Sequence, residues 1–299
     1  MKSSLLHLAF LAIAGFICYS CEGQDIPDLE TSTDDWIQRV ESKKEEVKVK
    51  WVYTIGSIDN TYAGHSGQGV AIRDGIMYRL YNTGQCQTYD LTDLANPVKI
   101  ASFNLGSHQY SNHSNCAQTY VEDGDTLLYV SGLKNGKAYV ERVSPTGSSL
   151  VQAISIPKLS ILENSITLNT ICGDDGFLWL FGPAGDKLVF AKARRPLLSQ
   201  RDVLLSEDDI LDAWSEDGYV YSEDVSQGGM VYKGLLFFLF GSTGSRAHIA
   251  VYDTHTHRRI SDIKLSGIFR EEPEDCELLP QGILIVTNGG SNYYLIKPE

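Results

Sequence analysis

The chain has 299 residues, 42 % of them hydrophobic, and carries 38 acidic against 25 basic side chains for a formal net charge of −13. That apolar fraction, with 16 Tyr, supports a real core and excludes global disorder, and the length suits one large all-β domain better than two. The acidic balance argues against a nucleic-acid partner and against direct adhesion to an anionic membrane.

Taken in chain order, the first segment reads as a targeting signal. Lys2 precedes an apolar stretch over residues 5–20, too short for a comfortable membrane anchor, and Ser20-Cys21 closes it in the manner of a cleavage site. Cys21 resembles the lipidated cysteine of a bacterial lipobox, although Cys18 and Tyr19 stand where that motif has aliphatic and small residues. Residues 1–21 are therefore read as a signal peptide with a lipidation site. The mature protein is expected to be exported and held on the periplasmic side or the cell surface by its lipid alone. Residues 22–47 read as a polar tether and a short helix, with Thr33 as cap and Trp36, Ile37 and Val40 on one face.

From residue 48 to 299 one phrase repeats five times: a polar residue opening an apolar run, a turn, a second apolar run, and a glycine-containing turn. The openings are Gln68, Asn115, Asn169, Gln227 and Glu274. A repeat of about 50 residues built from short strands points to a propeller, because each small sheet must stack on its copies to bury both faces. Four strands per unit are expected, at 68–72, 76–81, 84–91 and 97–103 in the first unit and correspondingly in the others. In the third unit the outer strand is assigned to 202–205, followed by a short helix over SEDDILDAW with Ser206 as its cap. The fifth unit has only three strands before the chain ends, while the alternating segment VKVKWVYTIGS at 48–57 belongs to no unit of its own. The expected fold is thus all-β, a five-bladed β-propeller closed by an N-terminal strand that completes the last blade and removes a free sheet edge.

The innermost strands of such a ring line a central channel, and loops at its mouth are where a rigid scaffold presents function. The five opening polar residues converge there, with His65 and His113 at equivalent rim positions in His65-Ser66-Gly67-Gln68 and His113-Ser114-Asn115. Such amides and carboxylates either satisfy the backbone where inner strands crowd or bind a polar ligand. The candidate ligand-binding set is His65, Gln68, Tyr110, His113, Asn115, Asn169, Gln227 and Glu274. Aromatic residues expected at the same rim are Tyr62, Tyr110, Trp214, Tyr219, Tyr221 and Phe269, which would suit the apolar face of a sugar ring. For an enzyme, the acids Glu272, Glu274 and Asp275 are the candidates for the paired carboxylates of glycoside cleavage.

No CxxC or HxxxH spacing suggests zinc, no phosphate loop or Ser-His-Asp order is present, and neither a metal nor a cofactor is expected. EDGD at 122–125 and GDDG at 173–176 fall in turns between first and second strands, where Asp and Gly serve turn geometry. Beyond Cys18 and Cys21, Cys86, Cys116, Cys172 and Cys276 read as small buried packing residues or as a disulfide between inner strands.

In SGQGVAIRDGIMYRLYNTGQCQTYDL, HSNCAQ and EPEDCELL the chain resembles uncharacterised bacterial lipoprotein propellers with five blades. More remotely it is similar to teichoic-acid-biosynthesis-like and phage receptor-binding propellers, matching their phrases at Gln68-Gly69, His113-Ser114-Asn115 and Glu272-Pro273-Glu274. Asp275 departs from the glycine that ends the last phrase. The resemblance covers residues 48–299 and implies a cell-envelope glycan ligand. A weaker likeness to propeller-type glutaminyl-peptide cyclotransferases implies no particular residue. Together these give an envelope-associated module binding a carbohydrate or other small polar ligand, with a glycan-cleaving or cyclase-like enzyme and a protein-docking module of an envelope complex as alternatives.

Overall fold

The computed structural model describes residues 37–38, 40, 46–47, 49–55, 58, 61–132, 136–166, 169–172, 176–219, 225–242, 246–289 and 293–298. Cys21 and the signal segment, the helix cap Thr33, Trp36 and Tyr221 lie outside them. The sheets form a five-bladed β-propeller.

Blade 1 runs His65–Arg73, Ile76–Tyr81, Gln85–Asp90 and Val98–Asn104 from the axis outward, and blade 2 runs Ala117–Glu122, Asp125–Ser131, Lys137–Ser144 and Gly147–Ser155. Blade 4 uses Ser226–Tyr232, Leu235–Phe240, His248–Asp253 and Arg258–Lys264 in the same antiparallel order. In blade 5 the three C-terminal strands Pro273–Leu279, Gly282–Thr287 and Tyr293–Pro298 are completed by Val49–Ile55, which pairs antiparallel with Tyr293–Pro298. The first and last parts of the fold are therefore hydrogen-bonded in one sheet, as the unpaired alternation at 48–57 predicts.

Blade 3 corrects the sequence reading. Its outer strand is Ile210–Asp217, not 202–205, and it follows Asn169–Cys172, Leu178–Ala184 and Lys187–Ala193. The segment Asp202–Leu204 instead adds in parallel to the outer strand of blade 2. Glu207–Asp209 is a single 3-10 turn in which the Asp209 carboxylate accepts the Ser206 N–H and hydroxyl, each at 2.9 Å. Cap chemistry is the same for one turn as for a full helix, so Ser206 marks the start but not the length. Glu46–Val47 braces blade 4 in the same parallel manner, so blades 2 and 4 have their outer edge covered by chain passing to a neighbour.

Packing follows from strands buried on both faces. Leu235–Phe240 reads LLFFLF, a continuous apolar run, because alternate side chains face different blades: Phe237 and Leu239 pack towards blade 5, and Leu236, Phe238 and Phe240 towards blade 3. Five clusters of buried side chains result, one at each blade interface. Ile37 and Val40 are buried in the cluster between blades 4 and 5. Trp214, Tyr219 and Phe269, expected to face a ligand at the rim, are core side chains in these interfaces, each less than a tenth exposed. Cys86, Cys116 and Cys276 are buried free thiols. Glu122–Asp125 is a tight turn with positive φ at Asp123 and Gly124, which accounts for the acidic residues there.

Candidate functional site

Three inner strands slip register at the repeated polar residue: between Gly67 and Val70 in blade 1, Ser226 and Gly229 in blade 4, and Pro273 and Asp275 in blade 5. An extra residue at such a slip leaves the ladder, and its side chain is re-aimed. The doublets Gln68-Gly69, Gln227-Gly228 and Glu274-Asp275 are the sequence signature of these slips. Glycine is needed beside the amides because the backbones approach closely: a Cβ at Gly69 would lie 2.6 Å from the Ser114 carbonyl oxygen, and one at Gly228 would lie 2.8 Å from Cγ of Asp275.

The space beside Gly228 holds the carboxylate of Asp275, which is fully buried. Its Oδ2 accepts the N–H of Val70 in blade 1 at 3.0 Å and of Ala117 in blade 2 at 3.1 Å, while Oδ1 accepts that of Cys276 at 3.0 Å. The Cys116 thiol of blade 2 donates to the Gly229 carbonyl of blade 4 at 3.4 Å. Blades that are not neighbours in the ring thus touch across the axis. The expected channel is closed at this level, and Asp275 is its floor.

Above the floor the opening residues meet as a ring. Asn115 Nδ2 donates to Glu274 Oε2 at 3.3 Å, joining blades 2 and 5. Gln227 Nε2 donates to Glu272 Oε1 at 2.9 Å and to the Gly241 carbonyl at 2.8 Å, and Asn288 Nδ2 donates to Glu272 Oε2 at 2.7 Å. Gln68, Asn115, Gln227 and Glu274 are each no more than 5 % exposed, whereas Glu272, His65 and His113 are half-buried. Asn169 opens the inner strand of blade 3, but its side chain lies outside the described set.

The loop carrying Tyr110 and His113 is held by buried groups. Glu141, fully buried in blade 2, accepts the N–H of Gly106 at 3.0 Å, the N–H of Ser107 at 2.7 Å and the Ser148 hydroxyl at 2.6 Å. His113 Nδ1 lies 2.8 Å from Asn82 Oδ1, which fixes the ring at the rim. Tyr110 is 44 % exposed, stacked on Tyr139 with ring centroids 5.7 Å apart. Tyr62 packs against Tyr81 beside the His65 turn.

Sequence reasoning passed over Arg79, the lone charge in the apolar run IMYRLY. It is fully buried beneath the ring and donates to the carbonyls of Gln68, of Gly69 at 3.2 Å and of Thr287 at 2.7 Å. Its guanidinium lies 5.6 Å from the Tyr81 ring centre and 5.4 Å from that of Tyr293. An isolated Arg inside a buried strand is the signal that would have found it, since such a charge needs several acceptors.

Burial pushes the Glu274 carboxyl up to about 8, with neighbouring Glu272 adding to the rise and Arg79 and the amides opposing it. Glu277 is likewise raised to about 8 by burial, against the N–H groups of Leu278 and Ile72. Asp275 is raised by burial while its three N–H donors pull the other way. These acids stay protonated in the fold at pH values where the unfolded chain would ionise them, so the folded state binds more protons. Stability should be greatest below about pH 4.5, the ordinary value for Glu, and fall as pH rises through about 8. Thermal unfolding at pH 5, 7 and 9 checks this. Glu277→Gln should reduce the decline, and an unfolding temperature equal at pH 5 and 9 would show that the backbone donors outweigh burial.

No family model and no curated protein matches the chain. Among solved structures it is similar to the tail fiber of Staphylococcus aureus phage P68, with a TM-score of 0.50 at 15 % identity over 88 % of this chain. It covers 56 % of that tail-fiber chain. A hypothetical protein from Leishmania major is matched at a TM-score of 0.48 and 11 % identity, over 83 % of this chain and 90 % of that one. At such identity the tail-fiber likeness is one of fold.

Proposed function

We propose that the protein is a binding module that receives a carbohydrate or other small polar ligand at the mouth formed by the N-terminal ends of its inner strands. The observation that carries this reading is the ring itself. Amides and carboxylates from blades 2, 4 and 5 meet over a closed floor, with half-buried Glu272, His65 and His113 around them and a buried Gln68 Oε1 that has no hydrogen-bond partner among the described residues. Fixed polar groups over a closed floor suit a small ligand more than passage along the axis.

Among the described residues none of the five sheets draws a strand from before Glu46, so a chain beginning at residue 22 keeps every blade strand described. A thermal-shift screen of that chain against envelope and dietary glycans tests the reading. A ligand at 100 times its dissociation constant should stabilise the fold by about 2.7 kcal/mol and raise the midpoint by on the order of 5 °C. His113→Ala and Gln68→Ala should abolish the shift. No shift across the panel would remove the small-ligand reading and leave protein docking through the rim.

A glycan-cleaving or glutaminyl-cyclase-like enzyme is the second reading, favoured by one observation: Glu274, raised to about 8, keeps a proton at neutral pH beside a second carboxyl group, as a general acid must. Asp275 is engaged by three backbone donors and fits the floor better than the chemistry. Glu274→Gln separates the readings, because it should abolish product formation in an enzyme while leaving ligand affinity largely intact.

A further inference from the structure

Acceptors outnumber donors in the hydrogen-bonding capacity left at the mouth, although Glu274 keeps a proton at neutral pH. Both N–H groups of the Gln227 amide donate, to Glu272 and the Gly241 carbonyl, while the Asn115 amide donates to Glu274 and the Asn288 amide to Glu272. Arg79, the cation beneath the ring, donates to main-chain carbonyls. Glu272 is half-buried and held only by neutral amides, with no Lys, Arg or His ion-paired to it or to Glu274 among the described residues. Gln68 occupies the slipped position equivalent to that of Glu274 in the adjoining blade, is 3 % exposed, and has an Oε1 without a donor among the described residues.

Unused acceptors beside an unneutralised carboxylate call for a ligand that brings donors and positive charge. An ammonium group supplies three donors and no acceptor, and its hydrogen bonds to a carboxylate are charge-assisted. A phosphate or carboxylate ligand would meet acceptors with acceptors and be repelled. A resident metal ion fits less well, since among the described residues no three His, Cys, Asp or Glu side chains are grouped to hold one.

We infer that the mouth selects a ligand bearing a protonated amine, an amino sugar above its neutral or phosphorylated counterpart, with Glu272 as the charge partner and Gln68 Oε1 as a second acceptor. This rests on the mouth being the ligand site proposed above. The selectivity comes from acceptor surplus, so it should vanish when the charge is removed while the amide framework stays. Glu272→Gln does that, because the side-chain carbonyl oxygen it keeps still accepts from Gln227 or Asn288.

The test is isothermal titration of the chain from residue 22 at pH 7 with glucosamine, glucose, glucose 6-phosphate and calcium chloride. Glucosamine should bind at least about tenfold more tightly than glucose, as one charge-assisted contact implies, and the 6-phosphate most weakly. In Glu272→Gln, with an unchanged unfolding midpoint as the control for folding, glucosamine and glucose should bind alike. Equal affinity of glucosamine and glucose for the parent protein would overturn the amine selectivity and leave the mouth as a sugar site. Calcium binding lost in Glu272→Gln, without amine binding, would overturn it in favour of a metal. Glucosamine binding untouched by Glu272→Gln would overturn it by placing the amine elsewhere. Heat from none of the four would count against both this inference and the carbohydrate reading beneath it.

Discussion

Asp275→Ala should cost about 3–6 kcal/mol of folding stability, because it leaves the N–H groups of Val70, Ala117 and Cys276 facing a buried void without an acceptor. Each unsatisfied buried donor costs roughly 1–3 kcal/mol, and a domain has only about 5–15 kcal/mol to lose. The site lies where blades 1, 2 and 5 meet, so the loss should reach the whole ring rather than one edge. Asp275→Asn retains an acceptor but turns an NH2 towards other donors, so its loss should be smaller and still measurable. Urea unfolding of the two variants checks the order. An Asp275→Ala midpoint equal to that of the parent would mean that the floor is not what holds the inner strands together.

Arg79→Ala should be comparably severe, at about 3–5 kcal/mol. The substitution opens a cavity between Tyr81 and Tyr293 and frees the carbonyls of Gln68, Gly69 and Thr287. Because Gln68 and Gly69 belong to blade 1 and Thr287 to blade 5, the damage falls beside the sheet that joins the two ends of the fold. Arg79→Lys should recover only part of the stability, since one ammonium cannot reproduce a planar fork reaching three carbonyls. Removing Arg79 also takes away the charge that opposes protonation of Glu274, so the Glu274 carboxyl should titrate higher still. Unfolding midpoints of the Ala and Lys variants measure the effect. Midpoints indistinguishable from the parent would show that water serves those carbonyls equally well.

The architecture was legible because propeller blades repeat a physical constraint. Every second strand lies between two blades and must be apolar on both faces, which leaves runs such as IMYRLY, FLWLFG and LLFFLF at a regular spacing. The closing strand was legible for a simpler reason: 48–57 alternates like an outer strand with no unit to serve. The outer strand of blade 3 was not, because Ser206 and the acids after it carry a helix-start signal that a single 3-10 turn also satisfies. At the site, the positions of the opening amides and acids could be read from the repeat, but their pairings could not. Asn115 meets Glu274 across the axis, a contact spanning 159 positions that no local pattern encodes. Asp275 looked like an interrupted glycine motif, whereas its carboxylate fills space that the small side of Gly228 leaves open. Three of the rim aromatics were misplaced for a related reason: Trp214, Tyr219 and Phe269 have the composition of a sugar platform and the burial of a core.

Hydrogen–deuterium exchange of the chain from residue 22, with and without the tightest ligand from the glycan panel, tests the central claim most directly because it locates binding along the backbone. The mouth predicts slowed exchange at residues 65–70, 105–117 and 272–276, where the rim loops and the ring residues lie. Slowed exchange confined instead to residues 194–209, around the cavity of about 430 Å³ lined by Arg194, Leu197 and Leu204, would contradict it and move the site to the outer side of blades 2 and 3.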